Sequence, residues 1–263
     1  MPSTRLSALR TGAAAHGFTV TPELRGLGLP GVMFRSGEKV VASEVIDAQG
    51  SDTPFLAGSL VGLYAADTSI PRMMAASFVA IPLERTVPHI VLFGRGIGML
   101  KLAGIQVGGD QKLSLEGDFD RSFTLYCPAG YERDALEIFT PDLMQLLMDT
   151  TSGCDVELVD DWMFVYSRPG RYRKPEAIDG LVAVTERVQS NVRRQTSGYR
   201  DERSAPAAAT VSPEEHAARA GRVAASGSRL STKKTPLQKL ATAATTLLLL
   251  GVVITLMIVQ NNH

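Results

Sequence analysis

The segment Leu115-Glu116-Gly117-Asp118-Phe119-Asp120-Arg121 places three carboxylates within five residues. Closely spaced acids can trade protons in general acid-base catalysis or hold a hard cation. A calcium loop of the EF-hand type also needs a Glu at its twelfth position, and counting from Asp118 that position holds Ala129. The spacing therefore favours a surface turn, with Arg121 as the nearby counter-charge. Glu132 adds a carboxylate, but with Arg133 and Asp134 it opens a segment that reads as a helix, where acids are stabilised by the helix dipole without any catalytic purpose. His89 is the one histidine of four inside a candidate strand. It could serve as a base or a pH-sensitive group, although a satisfied core histidine is the more common case. Asp118, Asp120 or Glu132 together with His89 are the residues a hydrolase would use here.

Other patterns point away from chemistry. Gly94-Arg95-Gly96-Ile97-Gly98 follows an apolar run but lacks the third glycine of a dinucleotide loop and is not followed by a clear helix. It reads as a loop that binds no phosphate. Cys127 and Cys154, the two cysteines, have neither a Cys-x-x-Cys partner nor a histidine at metal-ligand spacing. The reading favours two reduced, buried thiols, with a single bridge left open. Cys127 with His89 suggests a nucleophile and a base, yet nothing in the sequence supplies a third group or a distance. Trp162, Phe164 and Tyr166 alternate and so share one face of a strand, as core rather than as a ligand platform. No cofactor and no metal are expected.

The elements that must position these residues come in two kinds. Lys39 to Ile46, Phe55 to Tyr64, Ala75 to Leu83, His89 to Phe93, Lys112 to Glu116 and Ser122 to Cys127 are short apolar or β-branched runs bounded by turn residues, and read as strands. Asp155 to Val159 and Trp162 to Ser167 read as a hairpin turning at Asp160 and Asp161. Helices are expected over Ser3 to His16, Tyr131 to Phe139, Pro141 to Thr150 and Pro175 to Asn191. In the third, Thr140 can cap, Pro141 occupies the first position, and Leu143, Leu146 and Leu147 share a face. Strands without strict alternation with helices predict an α+β fold: a mainly antiparallel sheet with packed helices, plus one C-terminal transmembrane helix.

A chain of 263 residues that is 44% hydrophobic can bury a substantial core. Its zero net charge hides an asymmetry. Residues 1–190 hold 17 Lys and Arg against 23 Asp and Glu, a net of −6, and the remainder holds 10 against 4, a net of +6. An acidic globular part argues against a nucleic-acid partner, whereas a basic stalk can lie against anionic lipid. From Leu240 to Val259 no residue is charged, and at the rise of an α-helix this run is about 30 Å long, the depth of a bilayer core. Arg219, Arg222, Arg229, Lys233, Lys234 and Lys239 precede it and no Lys or Arg follows, which orients the domain to the cytoplasm. The expected organisation is a cytoplasmic α+β domain over 1–190, a flexible basic stalk over 191–238 and a transmembrane helix over 239–260. The lipid bilayer is then the partner of Leu240 to Val259.

Several stretches carry a resemblance: Leu115-Glu-Gly-Asp-Phe-Asp-Arg-Ser-Phe-Thr-Leu-Tyr-Cys-Pro, Tyr131-Glu-Arg-Asp-Ala-Leu, Phe139-Thr-Pro-Asp-Leu-Met, Asp155-Val-Glu-Leu-Val-Asp-Asp-Trp-Met-Phe-Val-Tyr-Ser and Val87-Pro-His-Ile-Val-Leu. Together, over about residues 50–170, they resemble a family of membrane-associated bacterial proteins, chiefly actinobacterial, built on a domain of unknown function. The chain departs from that pattern at Gly58-Ser59, where Gly-Asn is expected, and at Phe93, where Asp is expected. The resemblance implies a bacterial plasma membrane and brings no catalytic residues. The expectation is a membrane-tethered cytoplasmic binding or scaffold module with a protein partner. The alternative is a membrane-anchored enzyme, a hydrolase using the acidic residues with His89.

Overall fold

The computed structural model describes residues 2–64, 71–96, 98–103, 105, 107–115, 117–171, 176–197 and 230. In chain order the elements are α1 (Pro2–Ala15), β1 (Thr19–Arg25), α2 (Val32–Arg35), β2 (Glu38–Asp47), β3 (Leu56–Tyr64), β4 (Arg72–Gly94), α3 (Met99–Leu102), β5 (Lys112–Leu113), α4 (Phe119–Ser122), β6 (Phe123–Tyr126), α5 (Glu132–Ile138), α6 (Pro141–Thr150), β7 (Asp155–Ser167) and α7 (Glu176–Ser197). All strand pairs are antiparallel, so the fold is α+β on an antiparallel sheet. The expected membrane helix lies outside the described residues. Among the described residues no helix is long and apolar enough to cross a membrane.

The 23-residue β4 is the spine of the seven-stranded sheet. Along one edge it pairs first with β3, over Arg72 to Ala80, and then with β6, over Val91 to Gly94. Its other edge carries β7 almost end to end. Two strands expected from sequence, Ala75 to Leu83 and His89 to Phe93, are thus one strand. The hairpin expected at Asp160 and Asp161 is also corrected, because β7 runs unbroken from Asp155 to Ser167.

Both corrections have one cause. The pairing of β4 with β7 shifts register between Pro82 and Val87 and again between Val87 and Ile90, opposite Asp160, which adopts a left-handed φ of 55°. An extra residue in a strand reverses which face every later side chain takes. Accordingly Val79 and Ile81 enter the same layer as Ile90 and Leu92, and Val156 and Leu158 the same layer as Met163 and Val165. Odd and even positions trade places across the bulge.

The sheet separates two apolar layers. On one face α1, α4, α5, α6 and α7 pack through Leu9, Phe119, Ile138, Leu143, Leu147, Leu181 and Val188. In α7, Ile178, Leu181, Thr185, Val188 and Val192 are buried, a helical stripe of spacing three and four. The other face is covered by the short α2 and α3 and by loops, over Tyr64, Phe78, Trp162, Phe164 and Tyr166. Leu230 is buried in this second layer. The expected aromatic face of Trp162, Phe164 and Tyr166 is present as core, with successive ring centroids 6.1 and 5.8 Å apart.

Candidate functional site

Of the carboxylates singled out in the sequence, Glu116 lies outside the described residues, Asp118 precedes α4, Asp120 sits within it and Glu132 opens α5. Asp118 is 75% exposed and pairs with the equally open Arg121 at 2.7 Å. Asp120 sits in α4, where it accepts hydrogen bonds from the Ser114 hydroxyl and from the Leu115 N–H. It closes the turn that precedes β6. Glu132 accepts from the Gly130 N–H at 3.0 Å. Backbone N–H groups, its own included, hold its carboxyl below the ordinary value, the effect expected of an acid in a first helical turn. Asp120 and Glu132 thus organise a few residues of neighbouring backbone, and Asp118 holds the Arg121 side chain.

His89 lies elsewhere. It is buried on the α2 face of β4, whereas Phe119, between Asp118 and Asp120, packs into the opposite layer. The sheet stands between the histidine and those acids, and the structure does not gather the four groups. The partner of His89 is Glu157 of β7, whose carboxylate is fully buried, with Nε2 and Oε1 2.9 Å apart. Glu157 also accepts the Val32 N–H at the start of α2, at 2.9 and 3.1 Å to its two oxygens, and the Tyr166 hydroxyl at 3.0 Å. Burial, together with the adjacent Glu157, pushes the Tyr166 phenol well above its ordinary value, so Tyr166 donates as a neutral hydroxyl. Beside it, Tyr64 donates to the Met33 carbonyl at 2.6 Å.

This cluster bolts α2 to the sheet. Gly31 makes the close approach possible, since a Cβ there would collide with the Tyr166 hydroxyl and crowd the Phe164 ring. Both Glu157 oxygens are met by protein donors, which is how a buried polar group is tolerated. A second buried acid works the same way. Asp155 accepts the Gly94 N–H at 2.9 Å and the Leu100 N–H at 2.8 Å. The Gly94 to Gly98 loop therefore meets one of the protein's own carboxylates. Burial raises the Asp155 carboxyl, and the two N–H bonds and Lys101 partly offset that rise.

The opposite layer is built differently. Where α7 crosses β4 and β7 beside the end of α6, a cavity of about 250 Å³ remains, walled by Val79, Ile81, Val165, Leu181, Val184 and Val188. Thr151, Thr185, Cys154 and Arg171 supply its polar groups. Thr151 is satisfied by the Leu147 carbonyl. Thr185 is not: its hydroxyl is buried with no partner among the described residues.

Arg171 also lines an adjoining polar hollow of about 330 Å³ with Gly153, Ser167, Arg168, Pro169 and Gly170. The Ser77 hydroxyl fixes this turn by accepting the N–H groups of Gly170 and Arg171 at 3.0 and 3.2 Å. Arg171 reaches the Cys154 sulfur at 3.2 Å through Nη1. Both cysteines are free and buried. Burial raises the Cys154 thiol, with Arg171 opposing, and pushes Cys127 up to about 11. Both thiols are held protonated, a poor state for a nucleophile. Among the described residues no three His, Cys, Asp or Glu side chains gather in a way that could hold a metal ion.

Sequence reasoning named His89 but not Glu157, took Tyr166 as core alone, and of the residues around the cavity singled out Cys154 as a buried thiol. A lone acid inside the apolar run Val156-Glu157-Leu158-Val159 is a signal that a buried partner exists. Arg168 and Arg171 flank a Pro-Gly turn and belong to no motif.

No family model and no curated protein matches this chain. Among solved structures it is similar to the crystal structure of the mycobacterial trehalose monomycolate transport factor A, TtfA, at 13% identity and a TM-score of 0.46, covering 72% of this chain and 94% of that one.

Proposed function

We propose that the chain is a binding or scaffold module tethered to the bacterial plasma membrane through Leu240 to Val259, with its domain on the cytoplasmic side and a protein as its partner. The observation that carries this reading is the separation of the acid-base groups. His89 is enclosed with Glu157 and Tyr166 inside the core, while Asp118, Asp120 and Glu132 hold turns at the surface. Catalysis needs acid, base and substrate within hydrogen-bond reach of one another. These side chains instead fix the shape of a surface, which is what a docking module requires. The uncharged C-terminal run and the basic residues before it support the tether.

The test is a chromosomal replacement carrying Asp118→Asn and Glu132→Gln, two exposed changes expected to leave the melting temperature within about a degree because surface substitutions cost little. The replacement should match the wild type in every phenotype that deletion of the gene uncovers, whereas deleting residues 240–259 should reproduce the deletion. Loss of function in the double carboxylate variant, with its fold intact, would return the hydrolase reading to first place.

A further inference from the structure

The cavity beneath α7 and the hollow beside it share a wall at Arg171 and differ in chemistry, and the two are treated together as one compartment. The cavity wall is aliphatic on three sides, from β4, β7 and α7. The hollow is polar and holds two guanidinium-bearing residues, Arg168 and Arg171. Arg171 lines both. Among the described residues neither arginine meets a carboxylate, and the nearest buried acid, Asp155, is already committed to the Gly94 and Leu100 N–H groups.

Two buried hydroxyls point to an absent occupant. Thr185 lines the apolar cavity at 1% exposure and Ser167 the hollow at 4%, and neither hydroxyl has a partner among the described residues. A mid-helix threonine ordinarily donates to the carbonyl one turn back, and a buried hydroxyl left unmade costs free energy. Beside the cavity Thr150 and Thr151 avoid that cost by donating to carbonyls of α6, at 2.7 Å, whereas the Thr140 hydroxyl and the Asn191 side-chain oxygen, outside the compartment, also lack partners among the described residues. Of the buried side-chain hydroxyls without a partner among the described residues, those of Thr185 and Ser167 fall on the two parts of this compartment.

We propose that this compartment binds a single-chain aliphatic carboxylate, its tail in the cavity under α7 and its head group at Arg171 and Arg168. This small-ligand site stands apart from the protein-partner reading and can hold or fail independently of it. The dimensions select the tail. A cavity of about 150 Å³ accepts benzene, so one of 250 Å³ accepts a chain of roughly eight to ten carbons. A two-chain membrane phospholipid is too large. The charge selects the head, since a guanidinium forks onto the two oxygens of a carboxylate.

Equilibrium dialysis of labelled decanoate against the full-length chain in nanodiscs, with binding to empty nanodiscs subtracted, tests the assignment. One saturable site is expected. Arg171→Gln should weaken decanoate about tenfold, the usual worth of a charge-assisted hydrogen bond, while leaving binding of the uncharged decanol unchanged. Val184→Phe, which fills the cavity, should abolish both. Gly180→Leu makes the same change where an added Cβ meets no atom within 4 Å; it should keep the melting temperature while reducing binding. Affinity should fall again for hexadecanoate. Equal binding by wild type and both filled variants would overturn the proposal, as would an Arg171→Gln variant that holds decanoate and decanol as tightly as the wild type.

Discussion

The two faces of the sheet handle buried polarity in opposite ways. Over β4 and β7 on the α2 side, Glu157 is fully buried, yet its oxygens take hydrogen bonds from His89, Tyr166 and Val32. On the α7 side less charge is buried, yet among the described residues the buried hydroxyls of Thr185 and Ser167 lack partners and the exposed Arg171 beside them meets no carboxylate. A polar group that is closed by the protein belongs to the structure. One left open on the wall of a cavity marks where something else can bind. By that criterion the conspicuous histidine is architecture, and the inconspicuous turn at Arg168 to Arg171 is the binding surface.

The sharpest way to break this comparison is Glu157→Ala. It strands His89, Tyr166 and the Val32 N–H in the core and releases α2, and removing the shared acceptor of buried donors costs about 3 kcal/mol. Urea unfolding should show that loss as a lower midpoint. A cost under about 1 kcal/mol would mean that the cluster is not a structural post. Next in size is Gly31→Ala, where the new methyl meets the Tyr166 hydroxyl. Overpacking of this kind costs about 2 kcal/mol, read in the same assay.

An alkaline titration probes both faces together. Tyr64, over α2, is raised from 10.0 to about 12, and Cys127, in the opposite layer, from 9.0 to about 11. Between the ordinary and the raised values the unfolded chain has released a proton that the folded chain retains. Stability must therefore fall as pH rises. Melting temperatures should be level up to about pH 9 and decline from there towards pH 12. Neither thiol should react with a disulfide reagent at pH 8 until the protein is unfolded. The smallest effect has the opposite sign: Gly180→Ala, in the interior of α7 with open space beside it, should stabilise by about 0.5–1 kcal/mol through helix propensity.

Elements with local signals were legible from sequence. α6 occupies Pro141–Thr150, the range expected from its first-position proline and its leucine spacing, although the Thr140 hydroxyl at the N-cap makes no capping hydrogen bond; β2 and β3 agree with their apolar runs. β1 escaped because Thr19-Val-Thr-Pro-Glu-Leu-Arg has few apolar residues and a proline, which an edge strand tolerates. The candidate site escaped for a geometric reason. Glu157 and Tyr166 are an odd number of positions apart, so strict alternation sets them on opposite faces. Only the bulge at Asp160 brings them together. Arg171 and Thr185 belong to different elements, and their common cavity exists only once α7 has packed across β4 and β7. Spacing along the chain carries no record of such a meeting.

The most direct measurement is photo-crosslinking of the full-length chain in nanodiscs with a decanoate analogue bearing a diazirine near its tail, followed by mapping of the modified residues. Adducts confined to the stretch of α7 from Leu181 to Val188 and the facing residues Ile81 and Val165, lost with excess decanoate, are the predicted result. Adducts over Leu29, Met33 and the α2 layer instead, or labelling that decanoate does not displace, would contradict the division of roles between the two faces.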